Sequence, residues 1–229
     1  LKGISNDSEE VIVARDIILA KSTHSKLHIC HMSTKGSVAL LRQAKQDGQN
    51  VTAEATPHHF TLSDDFITDY DGNTKMNPPL RAKEDVLAIR QALKDNVIEI
   101  IATDHAPHSI DEKNCEYEKV AFGIVGLETA LPLGITVLVG EGWLTPMELI
   151  CKMTWNPAKM LGIDKGTLTV GKAADITIVN PNESYQIDPR TFASKSKNTP
   201  FGGFEVKGKV LYTIVDGNIV VENGELVEK

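Results

Sequence analysis

The sequence predicts an α/β fold, in which βα units lie on a parallel sheet and a small β layer follows. Three observations carry that expectation. Strand-like and helix-like segments alternate over residues 1–161, the rhythm of parallel βα units. His31, His58 and Asp104 each fall at or just after the end of an expected strand, the end at which α/β barrels build their sites. After Gly162 the pattern changes to short β-prone pieces punctuated by Gly166, Gly171, Gly202, Gly203, Gly208 and Gly217. Three strands cannot close a barrel of eight. Residues 1–161 therefore read as the C-terminal part of a (β/α)8 TIM barrel, and residues 162–229 as a small β-sandwich segment.

The elements follow in order. Asp7 and Glu10 have the spacing of a capping box, and Val11, Ala14, Ile18 and Leu19 predict the apolar face of an opening helix. KLHICHM, residues 26–32, is short and β-prone and reads as a strand. Residues 35–46 have helical period through Val38, Leu41 and Ala44, with Gly48 as the stop. NVTAEAT, residues 50–56, is a second strand, ended by Pro57. A polar stretch runs to Arg81, too long for an idle connection and so read as a functional loop. A helix over 83–94 and an apolar strand over 97–103 come next. A loop over 104–123 then leads to helices near 127–139 and 146–160. The β layer is expected at 175–179, 204–206, 210–215 and 219–222.

Composition narrows the function. The formal net charge is −7 and the 24 basic residues are scattered, which excludes a nucleic-acid stripe. Apolar runs such as Leu133–Val139 are far short of a membrane span. No charged-then-apolar leader opens the chain, and Leu1 begins what reads as mid-protein sequence, so a fragment of a longer protein is expected. Cys30, Cys115 and Cys151 are odd in number and lack CxxC spacing. A reducing, cytoplasmic setting follows, without a disulfide framework, and Cys30 is expected to be a small buried residue.

Four clusters carry chemistry. TDHAPH, residues 103–108, sets a carboxylate at a strand end with two histidines behind it. Such a carboxylate can ligate a metal and move a proton, or the loop is simply solvated. In His28-Ile29-Cys30-His31 strand alternation points the two histidines to opposite faces. His31, nearer the strand end, is the better ligand candidate, and His28 the packed one. His58-His59 after Pro57 suits a turn-stabilising hydrogen bond. In KMNPPLR, residues 75–81, two prolines hold Asn77 in a rigid extended segment. That arrangement serves either a polar ligand or structure alone.

Several motifs resemble the dihydroorotase family in order and spacing: HMST (31–34), EATPHH (54–59), KMNPPLR (75–81), ATDHAPH (102–108) and EKVAFGIVGLET (118–129). GTLTVGKAADITIV (166–179) is similar to the closing β segment of amidohydrolases, and NTPFGG (198–203) is also dihydroorotase-like. The resemblance implies a zinc-dependent cyclic amidohydrolase of pyrimidine biosynthesis, interconverting N-carbamoyl-L-aspartate and L-dihydroorotate. It implies His31 and Asp104 as metal ligands, Asp104 as catalytic acid/base, and Asn77, His108 and the Phe122-Gly123 backbone as substrate contacts. His58 and His59 match a motif but not a metal ligand.

A two-zinc site is implied, whose HxH pair, bridging carboxylate and further histidine would lie outside this chain. The fragment alone is therefore expected to be inactive, and residues 162–229 to pair with a β segment outside it. Carbamoyl aspartate or dihydroorotate is the implied small-molecule partner. The protein is expected as a homodimer, with aspartate carbamoyltransferase as an associate, and with neither nucleic acid nor membrane. Two rivals are a hydantoinase- or allantoinase-type cyclic amidase and a metal-free dihydroorotase-like scaffold.

Overall fold

A computed structural model describes residues 3–227. These form two compact units, one of residues up to 130 with 188–202, the other of 131–187 with residues from 203 onward. In the first unit the order is α1 (Asn6–Thr23), β1 (Leu27–Ile29), α2 (Lys35–Gln46), β2 (Val51–Ala55), α3 (Pro57–Thr61), α4 (Lys83–Lys94), β3 (Ile100–Ile101) and α5 (Ile110–Lys113). β1, β2 and β3 form a parallel sheet in that order. Parallel strands need crossovers, and α2 and α4 supply them.

Local sequence accounts for these elements. The Thr34 side chain accepts the Ser37 N–H and caps α2, which buries Val38, Leu41 and Ala44. Pro57 opens α3 at its first turn, where a missing N–H costs nothing. Ile29, Val51, Ala53 and Ala55 are buried on the helix-covered face of the sheet with Leu41, Ile89 and Leu93.

The structure corrects several expectations. α1 buries Val13, Ile17 and Ala20, and Val11, Ile18 and Leu19 lie exposed. The helix is apolar on both sides, so periodicity alone chose the wrong stripe. Ser5 precedes α1 without a side-chain cap bond, so the Asp7–Glu10 box is absent. β3 is only two residues long, and Cys30, just beyond the end of β1, is exposed.

The second unit runs from the end of α6 (Ala130–Leu133) through a π-helical stretch, Gly134–Val139, to α7 (Pro146–Met153) and α8 (Trp155–Leu161). A capping box joins Thr145 and Glu148 at the head of α7. Four antiparallel strands follow in order, β4 (Ile176–Gln186), β5 (Glu205–Val215), β6 (Asn218–Glu222) and β7 (Glu225–Leu226). β4 runs past the expected 175–179, and β5 joins the pieces expected at 204–206 and 210–215 into one strand, because bulged registers carry the pairing past Asn180. Gly208 has φ +99, and a Cβ there would lie 2.3 Å from Ile135 Cδ1, so close packing on the π-helical stretch requires glycine.

Candidate active site

The inner face of the parallel sheet follows from register. His28 pairs with Thr52 and Glu54 with Ile100, and aligned residues of parallel strands share a face. His28 satisfies both ring nitrogens there, Nδ1 with Thr52 Oγ1 at 2.8 Å and Nε2 with Glu54 Oε2 at 3.1 Å. It is the packed histidine the sequence favoured. His28, Cys30 and Glu54 offer donor atoms within 4.8 Å of one another. Partial desolvation, then the Glu54 and Asp104 carboxylates, push the Cys30 thiol up.

His31 and Asp104 sit just beyond β1 and β3 with φ of 38° and 47°, the left-handed region that His and Asp tolerate better than most residues. Strand alternation ends at Ile29, so His31 is not confined to the face opposite His28. His31 Nδ1 is buried and has no partner among the described residues. Burial pushes the Asp104 carboxyl up, with nearby His31 opposing and Glu54 adding to the rise. Within the described residues no hydrogen bond or ion pair engages that carboxylate.

His58 and His59 are both buried in α3. His59 Nε2 faces the Pro78 carbonyl at 2.9 Å and Nδ1 faces Thr56 Oγ1 at 2.7 Å. A carbonyl only accepts, so Nε2 carries the proton and Nδ1 accepts. Burial pushes His59 down to about 4, which agrees with a neutral ring. His58 is held well below the usual histidine range by burial, then by His59 and His31, and its Nε2 lacks a partner.

In the loops beyond the strand ends several groups are matched by the chain itself. His105 Nδ1 accepts the Gly126 N–H at 3.1 Å, and the Ala106 N–H reaches the Ile124 carbonyl at 2.9 Å. His108 Nε2 donates to the Phe122 carbonyl at 2.8 Å, and its Nδ1 lies 3.7 Å from Glu112. Gly123 has φ +115, and a Cβ there would lie 2.4 Å from that of Ala106. Its N–H donates to the Lys75 carbonyl at 3.0 Å. Lys75 Nζ stands 4.6 Å over the half-exposed Phe122 ring. Asn77 is exposed and its side chain makes no hydrogen bond within the described residues.

Behind this segment Arg81 is buried, donating to Ser33 Oγ at 3.0 Å and the Ile4 carbonyl at 2.5 Å, with Glu9 3.5 Å away. Burial would raise the Glu9 carboxyl, but hydrogen bonds from Ser33 and the Arg81 charge outweigh it and hold it low.

Two groups were not singled out by sequence reasoning. Lys113 is buried, with Nζ donating to three carbonyls, and a lysine in a polar loop gives no sign of that. Asn198 bonds Ala106, Gly123 and His108. Its signal was its place in NTPFGG, without a role. Two cavities open beside these loops. One of about 670 Å³ is lined by Tyr70, Lys75, Met76, Tyr117 and Phe122. The other, about 610 Å³, is lined by His108, Lys113 and Asn198. Neither is lined by His31 or Asp104.

The donor chemistry at the strand ends fits a metal. A buried imidazole nitrogen without a partner is costly unless something binds it. Imidazole with carboxylate is a set that zinc accepts.

Comparison with known proteins agrees. The pattern of the amidohydrolase family, a family generally dependent on metals, matches residues 6–220. A dihydroorotase of Pelotomaculum thermopropionicum is 55% identical over 97% of this chain and 52% of its own length. One of Acetivibrio thermocellus is 54% identical over 99% and 53%. Among solved structures, L-hydantoinase (dihydropyrimidinase) from Arthrobacter aurescens superposes with TM-score 0.92 at 32% identity, over 96% of this chain and 50% of its own. The chain thus spans about half the length of the relatives it matches.

Proposed function

This chain belongs to the amidohydrolase family, and from that premise we propose that it forms the C-terminal part of a dihydroorotase. Residues 1–161 would complete the barrel, and residues 162–229 the β layer that pairs with a segment outside this chain. Exposed Ile178, Val215 and Ile219 on β4 to β6 support that pairing. The observation that carries the reading is the pair at the strand ends: among the described residues, His31 has a buried nitrogen without a hydrogen-bond partner and Asp104 a carboxylate outside any hydrogen bond or ion pair.

His31 and Asp104 would hold zinc, with the remaining ligands of a two-metal site supplied from outside these residues. Zinc, when bound, makes water a nucleophile near neutral pH and polarises a carbonyl. Asp104 takes the proton of the attacking water and returns it to the ring nitrogen as the C–N bond of dihydroorotate breaks. Ring closure of N-carbamoyl-L-aspartate runs the same transfer in reverse. Asn77, His108 and the Phe122-Gly123 backbone hold the ring. On this reading the protein works in the cytoplasm, in pyrimidine biosynthesis, as a homodimer beside aspartate carbamoyltransferase. No described helix is long and apolar enough to cross a membrane.

Hydantoinase activity is the second reading, favoured by the superposition on that enzyme. Turnover of L-dihydroorotate and hydantoin by the intact enzyme decides between them. Dihydroorotate is expected to be the better substrate, and a preference for hydantoin would replace the proposal. The 229 residues alone are expected to bind zinc weakly and turn over neither.

A further inference from the structure

Lys113 ends α5, a short turn closed by a capping box between Ser109 and Glu112. Its side chain runs inward and the residue is 7% exposed. Nζ donates to the carbonyls of Ala121 at 2.8 Å, Gly123 at 2.9 Å and Lys75 at 3.3 Å. An ammonium has three protons, and three carbonyls use them all.

No carboxylate forms an ion pair with Lys113 among the described residues. Burial pushes its ammonium down to about 8, with Asp71 opposing and Lys75 adding to the fall. A buried cation without a carboxylate is expensive, and an apolar chain of similar length would fill the space more cheaply. The lysine therefore contributes something that stability does not explain.

What it contributes lies in the identity of the three carbonyls. Ala121 and Gly123 flank Phe122, and Lys75 opens the segment that presents Asn77. The Lys75 carbonyl also takes the Gly123 N–H, and the Gly123 carbonyl also takes Asn198 Nδ2 at 3.1 Å. Asn198 Nδ2 is 3.0 Å from the Ala106 carbonyl, and its Oδ1 accepts the His108 N–H at 3.2 Å. At Gly72 a Cβ would lie 2.1 Å from the Lys113 carbonyl oxygen, so the chain leading into Lys75 packs directly on the lysine backbone. Three loop segments distant in sequence thus meet at one ammonium and one amide.

We propose that Lys113, seconded by Asn198, is a positioning residue that holds the Phe122-Gly123 backbone against the Lys75–Arg81 segment, so that both present fixed contacts to one substrate ring. This rests on the dihydroorotase reading. Lys113 touches no reacting atom; it acts through the backbone it holds.

The test uses the intact enzyme with Lys113→Met and Lys113→Arg, measuring dihydroorotate kinetics, zinc per chain and amide exchange over residues 121–126. Lys113→Met is expected to raise KM by about ten-fold with kcat within about three-fold, the pattern of lost ground-state binding. Zinc content should be unchanged, and the Gly123 N–H should exchange faster. Lys113→Arg keeps the cation and should recover part of the KM. Wild-type KM and exchange in the Met variant would overturn the proposal. So would a joint fall of kcat, zinc content and melting temperature that arginine fails to restore, since that marks a merely structural lysine. If the wild type does not open dihydroorotate, the functional reading fails on its own. The exchange measurement still judges the clamp, and unchanged exchange in Lys113→Met overturns it.

Discussion

The strand ends and the Lys113–Asn198 cluster of the loops treat buried polar groups in opposite ways. At the strand ends, among the described residues, His31 Nδ1 and His58 Nε2 are buried without hydrogen-bond partners, and nothing forms a hydrogen bond or ion pair with the Asp104 carboxylate. In the loops Lys113 meets three carbonyls and Asn198 bonds on both sides of its amide, although Asn73 Oδ1 and Glu128 Oε2 are buried without partners among the described residues. Native proteins leave few buried polar groups unmatched. The contrast teaches that the Lys113–Asn198 cluster is completed by the chain itself, whereas His31 and Asp104 have capacity left for a ligand.

The largest effect expected from that contrast is at Asp104. In the intact enzyme Asp104→Asn preserves shape and hydrogen bonding but removes charge and proton acceptance. Loss of a general acid/base costs about 10²- to 10⁴-fold in rate, more if the metal is also weakened. Because no described residue forms a hydrogen bond or ion pair with the Asp104 carboxylate, the melting temperature of the metal-free protein should hardly move. Wild-type rates in this variant would remove Asp104 from the mechanism. A large drop in metal-free stability would make it a structural residue like those of the loops.

Much of this division could be read from the sequence, for physical reasons that differ by residue. α2 and α4 were legible over 35–46 and 83–94 because their apolar stripes repeat at 3.6 residues. α1 was legible as a helix but not in orientation, since Val13 and Ile17 compete with Val11 and Ile18 for the buried side. His31 and Asp104 stood out as candidates because they follow strand ends, and only the family resemblance assigns them as ligands. The left-handed backbone at both, which frees His31 from strand alternation, leaves no local mark. Lys113 was illegible because its three partners lie 8 to 38 residues away and are main-chain carbonyls, which any residue supplies.

A pH titration sharpens the comparison on the side of the saturated groups. His59 is fully buried and pushed down to about 4, against about 6.5 in an unfolded chain. Between those values the unfolded state binds more protons than the native one, so stability rises with pH across the window and is lost as pH falls. The loss between pH 7 and pH 4 is about 3 kcal/mol at most from this ring, and His58 shifts in the same direction. Urea midpoints of the metal-free protein should fall over that range, and His59→Phe should flatten part of the fall. That variant also gives up stability at pH 7 by orphaning Thr56 and the Pro78 carbonyl, about 1 to 3 kcal/mol. A flat wild-type profile would mean that His59 is not buried neutral.

The smallest effect is the most discriminating. Asn77 is exposed and bonded to nothing within the described residues, so Asn77→Ala removes only what it offers a ligand. Losing one hydrogen bond to a polar substrate costs about 1 to 3 kcal/mol, read as a reduced kcat/KM with metal content and stability near normal. His108→Ala should cost somewhat more, because its Nε2 also holds the Phe122 carbonyl at 2.8 Å and truncation frees that backbone. His31→Ala should differ in kind, lowering zinc per chain and activity together, because its buried Nδ1 has no hydrogen-bond partner among the described residues. Elemental analysis beside kinetics for all three variants separates the two regions. If Asn77→Ala or His108→Ala loses metal as His31→Ala does, the loops are part of the metal site and the contrast between finished and unfinished regions collapses. If His31→Ala keeps its full metal, the strand ends are left unsatisfied for some other ligand.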